Sequence, residues 1–120
     1  MVREKVQALF NSIDDKDSAA FSRFLDEHCR FRFGNQPFVE GRVNIEAFVA
    51  AFFDSIHGLQ HTVIEQWFCD GALICHGEVC YTRHNGTQLT VPFANTLKIG
   101  PQGIVEYLIF ADTSALYSDS

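Results

Sequence analysis

The sequence predicts an α+β domain in which three helices pack on one face of a curved antiparallel sheet. Apolar residues recur at helical spacing in the first third of the chain and again over residues 45–56. From residue 59 onward, apolar and alternating segments are separated by short turn sequences. Helices followed by strands that tight turns connect indicate an antiparallel meander.

The predicted N-terminal region contains two short helices before a strand. Val6, Leu9 and Ile13 mark the apolar side of the first helix. Asp17 is a suitable N-cap for the second helix, which continues the helical period to about residue 28. Residues 29–33 then alternate as a strand and lead through a turn and a short extended piece to the third helix.

Four long strands are predicted in the second half of the chain, at residues 61–68, 72–83, 88–99 and 104–112. The turns between them are Asp70-Gly71, Asn85-Gly86 and Pro101-Gln102-Gly103. Long strands in one sheet twist and curl, so we expect the concave face and the helices to enclose a cone-shaped cavity.

The composition indicates one ordered domain over residues 1–120. Of the 120 residues, 47% are hydrophobic and 12 are phenylalanine, whereas disordered chains are poor in aromatic residues. The net charge of −6 and the lack of a lysine or arginine run argue against a nucleic-acid partner. No stretch reaches the ~18 consecutive apolar residues of a membrane span, and the charged start does not fit a signal peptide. We therefore expect a cytoplasmic protein with no membrane partner.

The four cysteines do not predict a metal site or a disulfide framework, because none forms a C-x-x-C pair. Cys75, His76 and Cys80 could be read as zinc ligands. In an extended strand, however, residues 75 and 80 point to opposite faces. We expect reduced cysteines, no metal and no other cofactor.

Five short segments, taken in order, resemble one known family. They are Phe38-Val39-Glu40-Gly41-Arg42, Asp70-Gly71, Pro92-Phe93-Ala94-Asn95, Gly103-Ile104-Val105-Glu106 and Phe110-Ala111-Asp112. Their order and spacing are similar to those of SnoaL-like members of the NTF2-like superfamily over nearly the whole chain. The resemblance implies a conical half-barrel with an apolar pocket. Because that superfamily includes polyketide cyclases, ketosteroid isomerases, epoxide hydrolases, dehydratases and proteins that only bind, it does not assign a reaction.

Asp112 is the first candidate for acid/base chemistry. It follows the apolar segment 107–111, and a carboxyl that faces an apolar cone is expected to have a raised pKa because of desolvation. The resemblance implies the same role, since SnoaL-like cyclases use an aspartate on the last strand. The alternative is that Asp112 or Thr113 caps a short terminal helix.

Three further polar residues are candidates. Asn95 shares a face with apolar neighbours, and the resemblance places it where ketosteroid isomerases donate to a substrate oxyanion; alternatively it is a buried, paired amide. Glu78 would form a carboxylate pair with Asp112 if its face lines the cone. His61 lies at the start of the first long strand, and the resemblance implies a role for it, since many SnoaL-like proteins have a histidine near that position. It could transfer protons, or it could be a half-exposed histidine at the start of a strand.

The steroid isomerase mechanism is disfavoured. In ketosteroid isomerases the catalytic aspartate lies on the strand that corresponds to residues 30–33, and this segment contains no aspartate or glutamate here. The position of their catalytic tyrosine on the first helix corresponds to Leu9 or Phe10. We expect Arg32 to point inward and to pair with a carboxylate or to clamp an anionic ligand. Arg32 and Asp112 could also supply two members of an epoxide hydrolase Asp-Arg-Asp set, although the third is not evident.

Two functions remain open at this stage. Aromatic residues fit a planar apolar ligand or an ordinary core; the ligand-binding candidates are Trp67, Tyr81, Phe93 and Phe110. The first function is binding of a small apolar molecule, with acid/base chemistry by Asp112 and support from His61 and Glu78, as a lyase, isomerase or hydrolase. The second is a non-catalytic ligand-binding or dimerisation module that acts as a regulator or scaffold for a partner. We expect it to form a homodimer through the outer sheet face, because strands such as the one with Val63-Ile64 are apolar on both faces.

Overall fold

The computed structural model describes residues 3–117. The helices are α1 (Arg3–Asp14), α2 (Ser18–Ser22) and α3 (Arg42–Asp54). The strands are β1 (Leu25–Phe33), β2 (Val39–Glu40), β3 (Gly58–Cys69), β4 (Ala72–Thr82), β5 (Gln88–Gly100) and β6 (Gly103–Ala111).

All six strands form one mixed sheet in the order β2-β1-β6-β5-β4-β3. The predicted meander from β3 to β6 is confirmed, with antiparallel pairs throughout. At the end of the meander β6 pairs in parallel with β1, so that the first and last long strands are neighbours. The predicted α+β class with three helices is confirmed as well.

The second helix is shorter than predicted. Asp17 caps it as expected, and its carboxylate accepts a hydrogen bond from Ala20 N at 3.0 Å. The helix ends at Ser22, and Leu25 already pairs with Ile104 of β6. This stretch is a strand because a distant partner supplies its backbone hydrogen bonds, which the local helical period does not reveal.

A bulge bends the sheet where β3 faces Gly77. The register shifts between Val63 and Glu65, opposite Gly77 and His76. A Cβ atom on Gly77 would overlap the carbonyl oxygen of Thr62. Only glycine therefore permits this close approach of the two strands, and the bulge adds to the curvature that forms the cone.

The core lies between the helices and the concave face of the sheet. Phe21 of α2 packs edge-on against Tyr107 of β6 at 5.6 Å and against Phe31 of β1 at 6.4 Å between ring centroids. Leu9 of α1 and Ile45 of α3 are fully buried above the same face. Within the part of the chain that the structure describes, no helix is long and apolar enough to cross a membrane.

Candidate functional site

An apolar cavity of about 40 Å³ lies between α2, α3 and the concave face of the sheet. Its wall is mainly aromatic and aliphatic, with a few polar groups: Ile13, Phe21, Phe31, Phe33, Phe48, Val49, Phe52, Phe53, Leu59, His61, Val79, Tyr81, Phe93, Asn95, Tyr107 and Ile109. A water molecule needs roughly 10–15 Å³ of such space, so the cavity holds a few waters at most.

His61 is held in the cavity wall by Asp14 at the C-terminal end of α1. Its Nδ1 lies 2.6 Å from Asp14 Oδ1, and its backbone N–H donates to Asp14 Oδ2 at 3.0 Å. The ring also packs against Phe10 and Phe93, with centroids 5.0 and 5.1 Å away. Both side chains are mostly buried, so the orientation of the imidazole is fixed from three sides.

This pair can carry a proton-transfer step. When Nδ1–H donates to Asp14, the lone pair of the neutral imidazole lies on Nε2. Within residues 3–117, Nε2 has no hydrogen-bond partner. A carboxylate that orients a histidine in this way also stabilises the imidazolium that forms when Nε2 takes a proton.

Sequence reasoning missed Asp14. It belongs to an acidic segment that interrupts the helical pattern, and nothing local distinguishes it from its neighbour Asp15. Asp14 is partly buried whereas Asp15 and Asp17 are exposed. The signal is the contact with His61 across 47 positions of the chain.

Asn95 and Tyr107 contribute two unpaired polar atoms to the wall. Asn95 is 2% exposed and Tyr107 is 0% exposed. Asn95 Oδ1 and the Tyr107 hydroxyl oxygen have no hydrogen-bond partner in the described chain. Burial raises the pKa of Tyr107 strongly, so its hydroxyl stays neutral. In the sequence Tyr107 stands out only as part of the apolar segment 107–111, although its polar hydroxyl is what distinguishes it here.

Tyr81 and Phe93 also lie in the cavity wall. Phe93 contacts His61, and Tyr81 packs edge-on against Phe52 at 6.0 Å. Burial raises the pKa of Tyr81 as well. These two aromatic candidates are therefore positioned to contact a molecule inside the cone.

The expectation for Asp112 is wrong. Its side chain is exposed, and it accepts a hydrogen bond from Ser114 N at 3.0 Å. This bond lowers the pKa of Asp112, whereas a desolvated acid/base group would have a raised pKa. The strand ends one residue earlier than predicted, so the carboxyl falls in the following turn, close to the capping role that the sequence left open.

Glu78 does not line the cone either. It is exposed on β4, between the buried residues Gly77 and Val79. Its cross-strand neighbours Thr62 and Pro92 are exposed too. Alternation along the strand assigns the inner face to the odd-numbered residues, and no carboxylate pair with Asp112 forms.

Arg32, Trp67 and Phe110 lie on the outer surface, which corrects three further expectations. Arg32 is exposed, and its Nε donates to Gln36 O at 3.0 Å. Trp67 is 47% exposed and Phe110 is 54% exposed. Arg32 and Asp112 therefore do not assemble part of an Asp-Arg-Asp set in the cavity. The guanidinium stays in water because burial without a charged partner is costly.

Three phenylalanines separate the cavity from an outer groove of about 280 Å³. Phe33, Phe48 and Phe52 line both spaces, and the rings of Phe33 and Phe52 are 5.0 Å apart. The rim of the groove includes Tyr117, which shares a 2.8 Å hydrogen bond with Ser55 Oγ.

The site offers no metal-binding set. Among residues 3–117, no three histidine, cysteine, aspartate or glutamate side chains come close enough to hold an ion together. Burial raises the pKa of Cys75 to about 11, so this thiol is protonated at neutral pH.

The sequence matches a family model described as the SnoaL-like domain over residues 6–107. Among curated proteins, none matches the chain at a significant level.

Solved structures show the same fold at low sequence identity. An NTF2-like protein of unknown function from Burkholderia pseudomallei K96243 superimposes with a TM-score of 0.84 and 15% identity, over 94% of this chain and 92% of that one. TerC, co-crystallised with polyporic acid, superimposes with a TM-score of 0.81 and 16% identity, over 95% of this chain and 93% of TerC. A candidate SnoaL-like polyketide cyclase from Jannaschia sp. CCS1 superimposes with a TM-score of 0.80 and 18% identity, over 94% of this chain and 86% of the cyclase.

Proposed function

Because the chain belongs to the SnoaL-like domain family, we propose that its cone binds a small, planar, largely apolar molecule and that His61 transfers a proton to or from it. The oriented His61–Asp14 pair in an otherwise apolar wall carries this proposal. The co-crystallisation of TerC, which has the same fold, with polyporic acid supports it.

Ligand entry requires the cone to widen. A space of about 40 Å³ is below the roughly 150 Å³ of a cavity that holds benzene. The adjoining groove is about 280 Å³, and the two together reach the lower end of the usual range for ligand pockets. We propose that rotation of Phe33 and Phe52 joins the two spaces, because both rings border both of them.

Ligand binding is tested by filling the cone. We expect 2-naphthol to bind the protein in isothermal titration calorimetry, and we expect Val79→Phe, a change in the cavity wall, to abolish binding. Val43→Phe makes the same substitution at an exposed position of α3 and should have no effect. Val49→Phe fills the cone from α3 and replaces Val79→Phe if that variant does not fold. Binding that survives in a folded, filled variant would contradict the proposal.

Proton transfer is tested with 2-tetralone, a flat ketone with acidic C–H bonds. In D₂O, His61 Nε2 would take a proton from the α-carbon, leaving the electron pair in an enolate, and would return a deuteron. We expect the protein to accelerate α-deuteration, as followed by NMR, and His61→Gln to remove the acceleration. His57→Gln changes an exposed histidine outside the cavity and is the matched control. Equal rates with wild type and His61→Gln would rule out this role.

Self-association is a second candidate function. The outer face of the sheet exposes Trp67 of β3 and its cross-strand partner Ile74 of β4, which is 42% exposed, and also Phe110 of β6 on the far side of β5. Large apolar side chains exposed on one sheet face favour a homodimer across the outer faces. We expect a dimer in sedimentation at micromolar concentration and a monomer for Ile74→Glu, with Val43→Glu as the control. A monomeric wild-type protein would remove this candidate.

A further inference from the structure

A groove of about 530 Å³ lies at one end of the sheet, between the start of α1, the turn after α2 and the β5–β6 turn. Lys5 and Arg23 line it, together with Phe24, Ile99 and the turn residues 100–103, and we call it the basic groove. In the described part of the chain, none of its lining residues also lines the cone or the groove at Tyr117. Its volume is within the usual range for small-molecule sites.

The two basic side chains of this groove are exposed and have no partner. Among the basic side chains that the structure describes, only Lys5 and Arg23 make neither a hydrogen bond nor an ion pair. The others each bind a backbone carbonyl or a carboxylate: Lys16, Arg30, Arg32, Arg42, Arg83 and Lys98. The unpaired positive charge of the described chain therefore lies around one concave space, although the protein has a net charge of −6.

The lining of the basic groove contains no compensating acid. Its described residues include neither aspartate nor glutamate. The acid nearest to Arg23 in the sequence is Asp26, whose carboxylate accepts a hydrogen bond from His28 N at 2.8 Å. Two like charges around one space repel each other, and an anion between them turns that repulsion into attraction. The charge of the groove is therefore complementary to an anion.

Apolar side chains make up much of the remaining lining, which restricts the kind of anion. Phe24 and Ile99 are partly buried, and Ile104 is fully buried beneath them. An inorganic ion would use only the two charges of the groove. An anion with an organic part would also cover the exposed surface of Phe24 and Ile99, which is favourable because it removes apolar surface from water.

We propose that the basic groove binds a small organic phosphate monoester, with its phosphate between Lys5 and Arg23 and its organic part on Phe24 and Ile99. A phosphate monoester carries a charge of about −1.5 to −2 at pH 7, so it matches two cations better than a single carboxylate does. A guanidinium binds phosphate oxygens in a bidentate manner, and a lysine adds a point charge. The site lies outside the cone, so it does not depend on the function proposed above.

Calorimetric titration with 2-naphthyl phosphate tests the site. We expect it to bind the wild type and the cone-filling Val79→Phe variant equally, because the basic groove is separate from the cone. Arg23→Gln and Lys5→Gln should each weaken binding at least tenfold, which corresponds to about 1.4 kcal/mol. Arg32→Gln removes the same charge at an exposed position outside the groove, and it should change the affinity less than twofold.

NMR locates the ligand without any variant. We expect 2-naphthyl phosphate to shift the amide signals of Gly100 and Gly103 while leaving the signal of His61 in the cone unchanged. Added salt should weaken the binding, since it screens exposed charges. Shifts confined to the cone, or equal affinities of wild type, Arg23→Gln and Lys5→Gln, would overturn the inference. A lack of binding would also overturn it and would leave the proposals for the cone as they are.

A phosphate monoester also occurs in the headgroup of phosphatidic acid. We assign the groove to a soluble ligand, because membrane recognition uses a larger basic cluster and the net charge of −6 opposes approach to an anionic surface. In flotation with vesicles that contain phosphatidic acid, the protein should stay in the soluble fraction. Binding to these vesicles without binding to 2-naphthyl phosphate would contradict this assignment.

Discussion

Removal of the Tyr107 hydroxyl should stabilise the ligand-free protein. The side chain is 0% exposed and its hydroxyl has no partner. Leaving such a group unpaired costs roughly 1–3 kcal/mol, whereas Tyr107→Phe deletes the group without breaking a hydrogen bond. The small void left by one oxygen offsets part of the gain. We expect the free energy of unfolding to rise by about 1 kcal/mol and Tm by roughly 4 °C.

The pH dependence provides a second, independent readout. Burial raises the pKa of Tyr107 in the folded state, while an unfolded tyrosine ionises near pH ~10. Wild-type protein therefore loses stability as the pH rises above about 10, because only the unfolded chain releases this proton. Tyr107→Phe has no such proton, so its advantage should grow in that range.

Urea unfolding at neutral pH and at several alkaline values measures both effects. Linear extrapolation gives the free energy of unfolding for the wild type and the variant, provided that the slopes agree. A loss of 1 kcal/mol or more in Tyr107→Phe at neutral pH would show that the hydroxyl has a partner in solution. The reasoning about an unpaired buried group would then be refuted.

Two further substitutions test the fold and the corrected position of the last aspartate. Gly77→Ala should lower the free energy of unfolding by roughly 2–4 kcal/mol in thermal melts, because the new Cβ would overlap Thr62 O. Gly58→Ala is the control and should be nearly neutral, since nothing lies within 4 Å of a Cβ at that position. Equal effects of the two substitutions would contradict the bulge argument. Asp112→Ala should be slightly less stable than wild type at neutral pH, since the hydrogen bond from Ser114 lowers the pKa of Asp112. The two proteins should be equally stable once acid protonates the carboxyl. A gain in stability at neutral pH would speak against that bond.

The long strands of the second half were predictable because their turns are local. Asp70-Gly71 and the turn that ends at Gly103 have positive φ angles at the positions where the sequence places them. The start of β1 was not predictable in the same way. Leu25 continues a helical period, and only its pairing with Ile104, far along the chain, makes it part of a strand.

The candidate site was predictable only where one strand decides the direction of a side chain. Asn95 shares an inner face with apolar neighbours, and the structure has it buried there. Glu78 lies on a strand with polar residues on one face and Gly77 on the other, so the pattern did not decide which face is inner. Asp14 was missed because its partner His61 is brought to it by tertiary packing.

The parallel pairing of β1 with β6 has a consequence for the order of folding. β1 carries Phe31 and Phe33, which form one side of the cone, yet its long neighbour in the sheet is the last strand of the chain. During synthesis β1 can pair only with β2 until β6 has left the ribosome. Such long-range closure slows folding and leaves the apolar face of β1 open to other chains in the meantime. We therefore expect β1 to be the segment that a chaperone recognises in the growing chain.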